Sequence, residues 1–192
     1  MKIVQYPHPA LRRESRPLTA IDQKVHLAAA AMLELMYEQR GLGLAANQVA
    51  LPYQLLVLNP TGDPAQRDQE GVYLNPVILD RKGTVEGEEG CLSFPKLFQK
   101  VRRAKTVTVQ AYNLKGEALQ ITASDLPARL WQHEIDHLHG VLYIDKMGPI
   151  GKLASRGLLK EFEREYAKAQ EKGEIPPDAD IERMLTDLAA QA

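Results

Sequence analysis

The sequence predicts an α+β fold in which short-stranded, antiparallel or mixed sheets pack around a central helix, with one helix before them and further helices after them. Three observations lead there. Strand-like runs gather between about residues 54 and 122, helical apolar spacing occurs outside that block, and the strands do not alternate with helices as a parallel βαβ chain requires. The 192 residues, 44% hydrophobic and 26% charged, suit one domain over 1–170 and a tail, 171–192, with a short amphipathic helix.

From the amino end, Pro7, Pro9 and Pro17 impose an irregular segment that wraps the surface. Asp22 is a natural N-cap, and Val25, Ala29, Met32 and Met36 then recur at helical spacing until Gly41. GLGLAANQVALP is glycine-rich and apolar and leads into QLLVL, a short strand. NPTGDPAQRDQEG, residues 59–71, is dense in turn formers and is the expected mobile loop. VYLNPVIL, TVEGEE, KTVTVQAY and EALQIT read as strands separated by turns. The central helix begins at Ser124, whose hydroxyl is expected to cap it, with Asp125 at its positive end, Pro127 in its first turn and Gly140 as its stop. A helix over about 151–171 carries Leu158, Leu159, Phe162 and Tyr166 on one face, and a last short helix carries Ile181, Met184, Leu185 and Leu188.

Net charge is −1 without a large basic block, so no specific nucleic-acid recognition is expected. The longest apolar run, Leu27–Leu33, is far too short to cross a bilayer. The residues after Met1 have neither the apolar stretch of a secretion signal nor the character of an import presequence, which makes a bacterial cytoplasm the expected location. Cys91 is the sole cysteine, which excludes an internal disulfide and suits a reducing compartment. It is an inert core thiol, a nucleophile or a ligand.

Near residue 131 the chain reads WQHEIDHLHG, which contains His-Glu-x-x-His. His133 and His137 project one turn apart from the same side of the helix, in line with Leu126 and Leu130, while Trp131, Ile135 and Leu138 fill the other sides. Two imidazoles and a carboxylate in so apolar a helix need partners, and a divalent cation supplies one, making this the metal-binding helix of the fold. The alternative is a pair of hydrogen-bonded core histidines. Glu134, beside the first ligand, is free to reach a water. The longer protease motif H-E-x-x-H-x-x-G-x-x-H holds through Gly140 and fails at Tyr143. His139 points elsewhere round the helix, His8 and His26 lie in segments with no reason to approach, and Glu161, Glu163 and Glu165 read as a solvated face. Cys91, in EGCLSFP at the end of a strand, completes a Cys-His-His site with one open position, the arrangement of a catalytic ion. Such mixed donors accept zinc, nickel, cobalt or ferrous iron. Asp136 within this helix is expected to pair with Arg103.

GLGLAANQ, EGCLS and QHEIDHLHG, in that order, resemble the three signature segments of the bacterial peptide deformylases. YPHPALR and the intervening strands are similar as well, so the resemblance reaches to about residue 165. It implies removal of the formyl group from nascent N-formylmethionyl polypeptides, with the ribosome near its exit tunnel as the expected place of encounter. It implies one divalent metal ion per chain, ferrous iron in the cell, held by Cys91, His133 and His137, with Glu134 as the catalytic carboxylate. By the same resemblance the Gln48 amide and the Leu92 backbone N–H contact the formyl oxygen, and the backbones of Gly43 and Gly90 pair with the extended substrate. Leu42, Leu44, Leu126 and Leu130 are candidate walls of an apolar pocket for the methionine side chain, with Arg129 at its rim, although the same leucines serve equally well as core. A thiolate on ferrous iron implies sensitivity to oxygen and peroxide. Two other readings compete: a zinc peptidase of the His-Glu-x-x-His type, and a non-catalytic metal or peptide-binding module.

Overall fold

A computed structural model of the chain describes residues 1–190. Helix α1 (Gln23–Glu38) starts where Asp22 predicts, the Asp22 carboxylate accepting the Val25 N–H at 3.0 Å. A five-stranded sheet contains β1 (Gly43–Ala45), β2 (Leu55–Leu58), β3 (Gly71–Lys82), β6 (Thr106–Tyr112) and β7 (Ala118–Ser124), in that spatial order. Strands β4 (Val85–Cys91) and β5 (Phe94–Arg103) form a separate hairpin, and every pairing in both sheets is antiparallel. Helices α2 (Asp125–Leu138), α3 (Pro149–Glu171) and α4 (Asp178–Ala189) complete the chain.

β2 is apolar at every position because both of its faces are covered. Leu55 and Val57 pack with Leu44, Met32 and Met36 beneath α1, whereas Leu56 and Leu58 pack with Trp131, Ile135 and Val109 beneath α2. A third cluster joins Leu11, Phe94, Leu97, Val101 and Tyr143, and Leu158, Leu159 and Phe162 of α3 close it. α4 lays Ile181 and Leu185 on Ala10, so the tail docks on its own chain, while Met184 faces solvent. α2 therefore lies with the sheet on one flank and the β4–β5 hairpin on the other, and the functional residues collect along that seam.

Two sequence readings change. Ser124 precedes α2, but its hydroxyl bonds Thr106 Oγ1 at 2.9 Å instead of capping the helix. Asp125, in left-handed backbone at φ 57°, makes the turn from β7, and its N–H donates to the Lys105 carbonyl at 2.8 Å. β5 goes unnoticed in the sequence because Phe94, Leu97 and Val101 are spaced like a helix face. Lys96, at φ 63°, breaks the two-residue alternation, so core-facing residues on its two sides fall out of phase. The loop over 59–71 carries its own scaffold: the fully buried Asn59 amide donates to Tyr37 Oη and to the Asp63 and Gln66 carbonyls.

Candidate metal centre

α2 turns His133 and His137 toward one side, ring centroids 4.9 Å apart. Cys91, at the end of β4, brings its Sγ within 3.2 Å of His137 Nε2, and one donor atom from each of the three residues lies within 4.8 Å of the others. Donors sharing a tetrahedral ion on bonds of about 2.0–2.3 Å sit on the order of 3.5 Å apart, so the trio stands at ligating separation. A soft thiolate with two imidazoles suits zinc, iron, nickel or cobalt and suits neither magnesium nor calcium. It is the one such grouping among the described residues. His139 turns away toward Glu14, and His8 Nδ1 accepts the Ala10 N–H. Tyr143, where the longer protease motif has its third histidine, is core: it donates its hydroxyl to the Leu97 carbonyl at 2.9 Å.

The surroundings push the two imidazoles in opposite directions. In the chain by itself, burial works against protonating either imidazole. Hydrogen bonds with Cys91 and Glu89 nevertheless hold His133 well above the usual histidine range. Burial, with the His133 charge added, presses His137 well below it.

Behind His133 lies an enclosed ion cluster that the sequence reading missed. Glu89 Oε2 pairs with His133 Nδ1 at 3.1 Å, which turns the other ring nitrogen toward Cys91. Glu89 also accepts Arg103 through Nε at 2.8 Å and Nη2 at 2.9 Å, and Arg129 Nη1 at 2.6 Å. Burial by itself would raise the Glu89 carboxyl, but the hydrogen bonds from Arg103 and His133 outweigh it and hold the group well below the usual carboxylate range. Arg103 bonds Asp136 as well, so the expected pair forms, and it ties α2 to β5. Gly87 leaves room for this cluster, since a Cβ there would lie 2.8 Å from Arg129 Nη2. The clue was alternation along β4, which puts Val85, Gly87 and Glu89 on one face although EGEEG looks solvated. Asn47 was missed too; its amide donates to the His137 carbonyl and anchors the end of α2.

Glu134 stands beside the trio, 4% exposed, and its Oε2 has no hydrogen-bond partner. Burial pushes its carboxyl up from 4.5 to about 7, against the pull of His133 and Arg103. The carboxylate rests on Gly43, where a Cβ would come 2.7 Å from Oε1. Gln48 is buried: its Oε1 accepts the Ala45 N–H at 2.8 Å, which aims Nε2 at Cys91 Sγ (3.4 Å) and Ser93 Oγ (3.3 Å). The Cys-His-His trio, whose two histidines are buried, thus has an unsatisfied carboxylate and an oriented amide donor at its side.

The model of the polypeptide deformylase family matches residues 1–152. The chain belongs to that family. A peptide deformylase of Rhodopirellula baltica is 41% identical over 192 residues, covering 99% of this chain and 94% of the relative. Crystal structures agree in fold. A peptide deformylase 1B of Arabidopsis thaliana, in complex with an inhibitor, superposes with a TM-score of 0.85 at 40% identity, covering 92% of this chain and 96% of that one. A Plasmodium falciparum peptide deformylase gives 0.84 at 36% identity, covering 87% and 98%.

In this deformylase the trio opens on a cleft of about 690 Å³ whose lining includes Gly43, Gln48, Gly90, Cys91, Leu92, His133 and Glu134. Leu42, Leu126 and Leu130 line it as well, Leu126 being half exposed. Two pocket expectations are corrected. Leu44 is fully buried under α1, because alternation along β1 sends Gly43 toward α2 and Leu44 to the opposite face. Arg129 touches the cleft but is not a rim residue, its guanidinium being buried on Glu89 and on the Val101 carbonyl at 3.1 Å. Phe98, 59% exposed, stands over Gly90 beside the cleft.

Gly43→Val should cut formate release by roughly a hundredfold, because its side chain must displace both Glu134 and Leu58. Steady-state kinetics beside a thermal melt separates the local effect from unfolding; unchanged kcat would show that the Gly43–Glu134 contact does not matter.

Proposed function

We propose that Cys91, His133 and His137 hold one divalent cation, that Glu134 carries the proton, and that Gln48 Nε2 and the Leu92 N–H hold the formyl oxygen. The activity is that of the family: hydrolysis of the N-formyl group from the formyl-methionine of newly made polypeptides, releasing formate. The observation that carries the assignment of roles is the buried Glu134 Oε2, unpartnered beside a Cys-His-His trio.

When bound, the cation supplies Lewis acidity, which acidifies water and polarises the formyl carbonyl. As water adds to the formyl carbon, Glu134 takes its proton and then delivers it to the departing amine, so formate and a free amino terminus result. Gln48 is held through Oε1, so its Nε2 can exchange one of its contacts with Cys91 and Ser93 for the formyl oxygen while the side chain stays in place. The backbones of Gly43 and Gly90 pair with the extended peptide without reading its sequence. Leu42, Leu126 and Leu130 wall the methionine pocket. In the cell we assign ferrous iron, a bacterial cytoplasm and encounter with nascent chains near the ribosomal exit.

Formyl-Met-Ala-Ser tests the reading: formate should be released and the peptide backbone left intact, whereas a zinc peptidase would cut between residues. Cys91→Ala should remove both activity and bound ion, checked by elemental analysis of protein prepared without oxygen. Retention of a full equivalent of ion by that variant would exclude Cys91 as a ligand.

A further inference from the structure

The charge at the cleft is one-sided. Lys2, Arg40 and Lys96 line it, all three are exposed, and none is ion-paired among the described residues. Glu88, opposite Lys100 in the hairpin register, is the one exposed acid among the lining residues, against three exposed cations. The acids deeper in, Glu89 and Glu134, are buried and belong to the site already described.

Two of these cations occupy unusual backbone. Arg40 follows α1 at φ 56°, where the Gly41 N–H closes back onto the Met36 carbonyl at 2.8 Å, and Lys96 sits in β5 at φ 63°. Both are slots in which any side chain destabilises and glycine or asparagine is preferred. Long cationic side chains thus stand at two strained positions on a binding cleft, which marks them as functional rather than structural choices.

We infer that these cations make the enzyme select, among formylated chains, those with acidic residues directly after the methionine. The inference rests on the deformylase reading. A peptide held in extended form by Gly43 and Gly90 advances about 3.3 Å per residue. Lys2, Arg40 and Lys96 line the same cleft as Gly43 and Gly90, in which those next side chains would lie.

Formyl-Met-Asp-Glu, formyl-Met-Ala-Ser and formyl-Met-Lys-Lys, assayed with metal-loaded enzyme, measure the effect. At low ionic strength kcat/KM should be about tenfold higher for the acidic than for the basic peptide, with the ratio shrinking toward one in about 0.5 M salt, as exposed charge pairs do. In Arg40→Gly/Lys96→Gly the ratio should fall to about twofold or less while the melting temperature rises, since glycine fits both backbones. Arg40→Asn/Lys96→Asn should show the same collapse with side chains retained. A wild-type ratio at or below one, or a ratio that survives in both double variants, overturns the inference. Formate from none of the three peptides overturns the deformylase reading itself, and the neutral peptide makes that outcome distinct.

Discussion

Glu134→Gln should lower kcat by roughly 10²–10⁴-fold while the bound ion stays in place. The glutamine keeps the size of the side chain and loses only the ability to take and return a proton. Formate release measured beside metal content checks this; loss of the ion together with activity would make Glu134 a ligand instead. The same substitution should stabilise the metal-free protein. Burial moves the Glu134 carboxyl from 4.5 to about 7, so the folded chain binds this proton more tightly than the unfolded one. The sign follows: stability falls as pH rises from about 4.5 to about 7, and the full penalty, about 3 kcal/mol, applies above that. Chelated wild type and variant should therefore be equally stable near pH 4, with the variant ahead near pH 8. Glu89 runs the other way, but it is common to both proteins. Urea unfolding at the two pH values reads the difference, and a gap that does not widen with pH would contradict the burial of this carboxyl.

Glu89→Ala should be the most destabilising single change in the molecule, by roughly 3–5 kcal/mol. Three groups lose their partner at once. Arg129 is left with backbone carbonyls, Arg103 with Asp136 alone, and His133 loses the carboxylate that orients its ring. Ion affinity should fall about 10- to 100-fold through that last loss. Since a domain of this size holds about 5–15 kcal/mol in total, the variant should unfold at markedly lower urea. Glu89→Gln, which preserves size and some hydrogen bonds, should be milder in stability and still weak in metal binding. A loss below about 1 kcal/mol would mean that water or relaxation replaces the carboxylate, and the cluster would not be the brace proposed here.

Much of the site was legible because its strongest signals are local. His133 and His137 share a helix face by spacing alone, and Gly140 follows that helix in left-handed backbone at φ 68°, where a Cβ would strike the Arg12 carbonyl. Glu89 was not legible. A carboxylate in a run of glutamates reads as solvated, and its burial depends on Arg103 and Arg129, which arrive from elsewhere in the chain. β5 was hidden for a similar reason: one left-handed residue changed the parity on which strand recognition depends. Ser124 marked the start of α2 correctly but spent its hydroxyl on a neighbouring strand.

The sequence by itself determined the class of fold, the pair of imidazoles with a carboxylate between them, and the family, since each rests on short-range periodicity or on an ordered set of motifs. Only the tertiary structure decided which thiol distance is met, which acid is buried, which leucine faces the cleft and where the last helix docks. Those depend on contacts between segments remote in the chain. There, alternation along a strand sets the direction of a side chain, and burial sets its charge.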